Sequence, residues 1–227
     1  MHTLSDTPIL YFGTPVVLVS TINADGTANL APISSVFWLG WRCIIGISAL
    51  SKTTENLRRT SECVLNLPSV SQAAAVNRLA LLTGSFPVPA GKAQKGYRYQ
   101  PDKFKVSGFS ALTSATVKAP RIAECPVQME AAVMNLHELA QDDEQQRGRL
   151  VTIELLIRRV YLDEAIQMNG NPNRVDPDKW RPLIMSFQKF YGLGEQIHES
   201  ALATIPEDLY RSPDIDRARE IQEEVVK

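Results

Sequence analysis

This chain is poor in the residue types that hold metals and staples: it has three cysteines and three histidines in 227 residues. Cys43, Cys63 and Cys125 lie far apart, and no CxxC or Cys/His cluster occurs. That spacing argues against a zinc site, and the odd number argues against a disulfide framework. His2, His137 and His198 are scattered, and His198-Glu199 is not followed by a second histidine at metal-ligand spacing. Net charge is nearly absent as well. With 24 Lys and Arg against 25 Asp and Glu, the balance is −1, which argues against nucleic acid as a main partner because phosphate-dominated binding needs a basic surface. No apolar run is long enough to span a bilayer, no basic segment leads into a short apolar one at the start, and no N-x-[ST] acceptor is present. These absences favour a reducing cytoplasm and a chain that neither enters a membrane nor reads nucleic acid.

What is present is ordinary for a globular protein: 44% hydrophobic and 22% charged residues. The length suits one large domain, or one domain with an extension, and needs no covalent staple. Strand signals dominate the first half. Pro15 to Ile22 is a β-branched apolar run, and Asn23-Ala24-Asp25-Gly26 is a tight hairpin turn, since Asp-Gly tolerates positive φ. A second strand is expected over Thr27 to Val36, broken by Pro32, which lacks the N–H a central strand needs and so belongs at an edge or bulge. Trp41 to Ser48 and Glu62 to Leu67 read as further strands, with a short helix over Thr53 to Arg59 between them. Ser69 or Ser71 is expected to cap a helix through Gln72 to Leu82. Thr83 to Gln100 is a long loop rich in Gly, Pro and Lys, with Tyr97 and Tyr99; it reads as a cover for a site or as solvated surface. Pro126 to Asn135 and Leu150 to Val160 are two more strands, joined by a polar tip at Gln141 to Arg149. After the turn chemistry of Asn169-Gly170-Asn171-Pro172, short helices are expected over Trp180 to Phe190, Pro206 to Tyr210 and Asp214 to Val226. Strands early and helices late predict a mainly β fold, a barrel with peripheral helices: a barrel domain over 1–166 and a helical extension over 167–227.

Two segments carry candidate chemistry. Asn29-Leu30-Ala31-Pro32-Ile33-Ser34-Ser35 joins a strand-breaking proline to small polar residues. By itself it reads first as a distorted edge strand at a barrel rim, and second as a bulge that turns amides and hydroxyls toward a planar ligand. Ser48-Ala49-Leu50-Ser51-Lys52-Thr53-Thr54, with Asn56 behind it, leads into a helix start. Free N–H groups and the positive end of a helix dipole attract an anion there. Ordinary capping by Ser51 or Thr53 explains the same residues. Lys52 is mildly unfavourable against the dipole unless an anion, or Glu55, compensates it. Phe37, Trp38 and Trp41 flank a turn and are expected to pack in the core. Gly192-Leu193-Gly194 resembles half of a dinucleotide fingerprint but lacks the third glycine and the preceding parallel strand.

Taken in order, these pieces form a pattern: a strand, a D-G turn, N-L-A-P-x-S, an apolar strand, K-x-T-x-x-N, and a strand ending in V-x-N-L-P. The run from Pro15 to Ser69 thereby resembles the flavin reductase-like, FMN-binding split β-barrel family, which includes flavoredoxin and the reductase component of nitrilotriacetate monooxygenase. The resemblance continues through Asp102-Lys103-Phe104, Ala119-Pro120-Arg121-Ile122 and Glu124-Cys125-Pro126, and covers about Thr14 to Ile166. It implies FMN as cofactor, with Ala31, Pro32, Ile33, Ser34 and Ser35 lining the isoalloxazine, Asn29 in the same segment, and Ser51, Lys52, Thr53 and Thr54 holding the phosphate. Asn56 would fix the loop or reach the ribityl arm. It also implies a homodimer and an oxidoreductase that moves electrons from a reduced nicotinamide, NAD(P)H, or another donor to flavin, a partner oxygenase or a small substrate. A flavin-binding electron-transfer module without turnover of its own is the alternative. In either case the flavin carries the redox chemistry, so no general base or nucleophile is expected.

Overall fold

The computed structural model describes the backbone of residues 1–225 and the side-chain environments of residues 1–220. Its centre is a seven-stranded antiparallel sheet built from β1 (Val17–Ile22), β2 (Ala28–Ile33), β3 (Val36–Leu39), β4 (Arg42–Ser48), β5 (Glu62–Leu67), β6 (Val127–Glu138) and β7 (Leu150–Leu162). Their order across the sheet is β2-β1-β5-β6-β7-β4-β3.

This order forces the sheet to roll up. β2 and β3 occupy opposite edges, yet only Ser34 and Ser35 separate them in the chain. Three Cα steps, Ile33 to Val36, reach at most about 11 Å. The edges of a flat seven-stranded sheet lie about 29 Å apart. The sheet therefore closes on itself, and the seam between its two edges is crossed covalently at Ser34-Ser35 rather than by a ladder. That is a split barrel. Thr27 to Val36 is accordingly not one strand, as its composition suggested: the chain leaves β2 after Ile33 and re-enters the sheet at the far edge as β3. Pro32 sits where its missing N–H costs least, on the edge strand β2, opposite Leu18.

The barrel interior is apolar. Val17, Val19, Ile45, Leu65, Ile153 and Leu155 are fully buried there, with Leu57 plugging in from the helix α1 (Lys52–Thr60). Trp38 and Trp41 pack against this core, as expected. Phe37 departs from expectation: it is 53% exposed, because successive strand residues face opposite sides and Val36 and Trp38 take the inner one. A second core, outside the barrel, packs Leu18, Leu30, Leu79, Ile122 and Leu183 together.

The expected helix over Trp180 to Phe190 is a hairpin instead: Ile184–Ser186 pairs with Lys189–Tyr191 and with the N-terminal strand Phe12–Pro15. Phe187 and Gln188 make its turn with positive φ, and its ladder bonds come from the N-terminal strand. The helix expected to reach Leu82 stops at Asn77, after a 3-10 turn capped by Ser69 and Gln72. A 3-10 turn over Glu207–Tyr210 and the helix Pro213–Val225 do form at the C-terminus; Val226 lies outside the described residues. No helix among the described residues is long and apolar enough to cross a membrane.

Candidate functional site

Two hollows adjoin along the barrel seam. The smaller, about 160 Å³, is walled by Ala31, Pro32 and Ile33 from β2, Ile47 and Ser48 from β4, the start of α1, and the loops around Thr83 and Tyr97. The larger, about 560 Å³, is walled by Ser34, Ser35, Val36 and Phe37, by Ile44 and Gly46 of β4, and by Leu10, Tyr11 and Thr14 of the N-terminal segment. The change from one to the other falls between Ile33 and Ser34 on one side and between Gly46 and Ile47 on the other.

The smaller hollow is cationic. Ser51 is the N-cap of α1, and its Oγ accepts from the Thr54 amide at 3.0 Å. Thr54 Oγ1 donates to the Ser48 carbonyl at 2.8 Å, so the 2.9 Å contact between the two hydroxyls spends the Ser51 proton. Both hydroxyls are thus committed to shaping the turn. Thr53 differs: its Oγ1 accepts from Asn29 Nδ2 at 3.2 Å, and among the described residues its own proton has no acceptor. The amides of Lys52 and Thr53, in the first turn of α1, lack intrahelical acceptors and share the positive end of the dipole. Lys52 lines the hollow but keeps its Nζ 2.8 Å from both carboxylate oxygens of Glu55.

Asn29, Thr54 and Asn56 line neither hollow; all three are buried behind the wall. Asn29 couples its elements, donating to Thr53 and to Thr21 and accepting from Lys103 Nζ at 3.0 Å. Asn56 Nδ2 donates to Thr21 Oγ1 and Asn23 Oδ1, tying α1 to the β1–β2 hairpin. The eleven residues singled out from sequence therefore divide three ways: Ala31, Pro32, Ile33, Ser51, Lys52 and Thr53 around the smaller hollow, Ser34 and Ser35 around the larger, and Asn29, Thr54 and Asn56 supporting them.

Sequence reasoning left out two further lysines that line the smaller hollow. Lys103 begins the helix α2 (Lys103–Ser107), is 3% exposed, and donates to Asn29 Oδ1 and to the Leu30 carbonyl at 2.9 Å. Burial, with a smaller push from Lys92, pulls its pKa down to about 7. Lys92, half-buried and likewise lowered by burial, donates to Thr83 Oγ1 at 3.4 Å and lies 5.7 Å from the Tyr97 ring centre. The traces were legible: Asp102-Lys103-Phe104 lies in the run that carries the family resemblance, and the Lys-rich loop reads as a cover for a site or as solvated surface. Nothing local in the sequence says that either lysine turns inward.

The larger hollow is mostly apolar. Tyr11 Oη and Ser35 Oγ, 2.8 Å apart, bridge the N-terminal segment to the seam. In its wall, Thr14 Oγ1 is buried with no hydrogen-bond partner among the described residues.

The model of the flavin reductase like domain matches residues 9–193. The chain belongs to the flavin reductase-like family. Its activity class is that of the family, flavin-dependent oxidoreduction. Among curated proteins it is 34% identical over 189 residues to an uncharacterised protein of Bacillus subtilis (strain 168), covering 83% of this chain and 88% of that one. Flavoredoxin of Desulfovibrio vulgaris (Miyazaki F) superposes with a TM-score of 0.70 at 17% identity, over 89% of this chain and 99% of that one. Nitrilotriacetate monooxygenase component B from Bacillus cereus gives 0.68 at 16% identity, over 88% and 98%. At such identities the two solved structures speak for the fold.

Proposed function

We propose that this protein binds FMN along the seam, phosphate in the cationic hollow and isoalloxazine in the apolar one, and transfers electrons from a reduced nicotinamide or another donor to flavin, a partner oxygenase or a small substrate. The observation that carries this is the adjacency of the two hollows across Ile33–Ser34 and Gly46–Ile47. The residues present fit the group. Lys103 is a buried amine whose partners are neutral and which can carry a proton toward an anion, and Thr14 presents a buried hydroxyl that has no partner among the described residues in the wall of the larger hollow.

The chain's own residues bind and orient. Lys52, Lys92, Lys103, the Thr53 hydroxyl and the first amides of α1 hold the phosphate. The hydroxyls and amides of Ser34 and Ser35 meet the polar edge of the ring, and Phe37 and Ile44 exclude water from it. A bound flavin supplies reversible hydride or electron transfer. A hollow of 160 Å³ suits one terminal phosphate, and falls below the roughly 300 Å³ at which pockets for larger ligands begin; this supports FMN over FAD.

A homodimer is part of the same proposal. β3 is an unpaired edge carrying exposed Phe37 and Leu39, and Leu10 and Phe12 are exposed on the N-terminal segment, with Leu10 and Phe37 lining the same hollow. Such an edge calls for a cover, and a second copy placed there also shields the ring site. All three cysteines are free and buried, which suits a reducing cytoplasm.

The decisive experiment is the visible spectrum of the purified protein, followed by extraction of any chromophore. FMN released on denaturation supports the reading; a colourless protein that takes up no added FMN overturns it. Steady-state assays with NADH and NADPH then separate an enzyme from an electron-transfer module.

A further inference from the structure

Lys103 is a buried amine with no counter-charge beside it. Its Nζ donates to two neutral oxygens, Asn29 Oδ1 and Leu30 O, which leaves the third N–H unspent. The charged and titratable groups of the elements around it do not help. Lys52 on α1 is held by Glu55, and Lys92 and Tyr97 enter the same hollow from the covering loop. On its own helix, the Asp102 carboxylate accepts from the Lys105 amide at 3.0 Å. Arg78, at the end of the Ala73–Asn77 helix, turns to the Ser107 carbonyl. Among the described residues no carboxylate pairs with Lys103. A buried ammonium without a counter-charge is held back from ionising, and Lys103 stands near the point where it loses its proton at neutral pH.

We propose that a phosphate entering this hollow brings a proton to Lys103, so that binding of the dianion and protonation of the lysine are one coupled event. The inference rests on the hollow being the phosphate site. One proton leaves the solvent and one N–H bond forms at Lys103 Nζ; no other bond changes. A phosphate monoester has its second pKa at about 6, so its own charge is constant above neutrality. Through that range the empty hollow holds Lys103 largely neutral and the filled one holds it charged. Affinity must then fall as pH rises, and a ligand without the dianion gains nothing from the coupling.

The test is calorimetric titration of the flavin-free full chain with FMN at pH 8, in two buffers of different ionisation enthalpy, with riboflavin as the probe lacking phosphate. The expected result is uptake of close to one proton per FMN and none with riboflavin. The FMN dissociation constant should rise by up to about tenfold per pH unit above neutrality. Lys103→Met should abolish both effects; Lys92→Met should keep them and move the window to higher pH, since a like charge is removed. FMN binding with no proton uptake and a flat pH dependence overturns the inference, as does uptake that survives in Lys103→Met. If that variant does not fold, the FMN and riboflavin titrations of the unaltered chain decide. FMN that fails to bind at any pH overturns the phosphate reading itself, an outcome distinct from binding without uptake.

Discussion

Gly46 donates its backbone N–H to the Ser35 carbonyl at 2.8 Å, and a Cβ added to Gly46 would lie 3.3 Å from the Ser35 Cβ. This contact extends the β3–β4 pairing by one residue beyond Val36–Ile45, beside the point where the two hollows meet. Glycine inside a strand ordinarily costs about 0.5–1 kcal/mol relative to alanine; here it permits the close approach. Gly46→Val is expected to destabilise the fold by about 1–3 kcal/mol through overpacking and to weaken FMN binding together with it. Urea unfolding and FMN titration check both, and an unchanged stability would remove Gly46 from this role.

A second glycine guards the cationic hollow. A Cβ on Gly84 would stand 2.6 Å from Asn29 Oδ1 and 3.2 Å from Lys52 Cγ. Asn29 Oδ1 is the atom that receives Lys103. Gly84→Ala should therefore push the amide away and loosen Lys103. Hydrogen bonds to charged groups are worth about 1.5–3 kcal/mol, so FMN affinity should fall by about tenfold or more while the barrel stays folded by circular dichroism.

Lys52 and Glu55 compete with any anion for one another. Lys52→Ala should weaken FMN binding by about tenfold, the loss of one charge-assisted contact. Glu55→Gln should act oppositely, because an exposed pair contributes at most about 1 kcal/mol and freeing Lys52 returns it to the ligand. A gain of up to about fivefold is expected from fluorescence titration. Weaker binding in Glu55→Gln would mean that the carboxylate positions Lys52 productively.

Far from the hollows, Glu130 is fully buried and accepts from the Ala115 amide at 2.8 Å, the Thr116 amide at 2.6 Å and the Tyr161 hydroxyl at 3.1 Å. Burial alone would raise its pKa, but the bonds from Thr116 and the two amides outweigh it and hold the carboxyl below its ordinary value. With the folded pKa below the unfolded one, the stabilisation is complete above the usual Glu range, about 4.3, and is lost as pH falls through the folded value. Glu130→Gln should lower stability at pH 7 by about 1–3 kcal/mol and flatten the decline of the urea midpoint below pH 4.5. An equally steep acid decline in the variant would assign that sensitivity elsewhere.

The site was legible where its chemistry is local. Ser51, Lys52 and Thr53 declare a helix start by residue type alone, because a cap and its free amides span one turn of chain. The hairpin of β1 and β2 follows from Asp25-Gly26, whose glycine takes φ +85°. The Trp180 to Phe190 helix was misread because short apolar stretches fit either period until a neighbour supplies ladder bonds, and here Phe12–Pro15 supplies them.

By itself, then, the sequence determined most strands of the central sheet, the β1–β2 turn, the helix cap and, through their order, the family. Only the tertiary structure decided that Ser34 and Ser35 cross a seam, that Phe37 faces outward, and that Lys92 and Lys103 turn toward the same hollow as Lys52. The reason is physical. Hairpins and caps are settled by hydrogen bonds among near neighbours in the chain, whereas a buried charge is set by what distant segments bring to it. Lys103 meets Asn29 across 74 residues of chain, and no local pattern encodes that meeting.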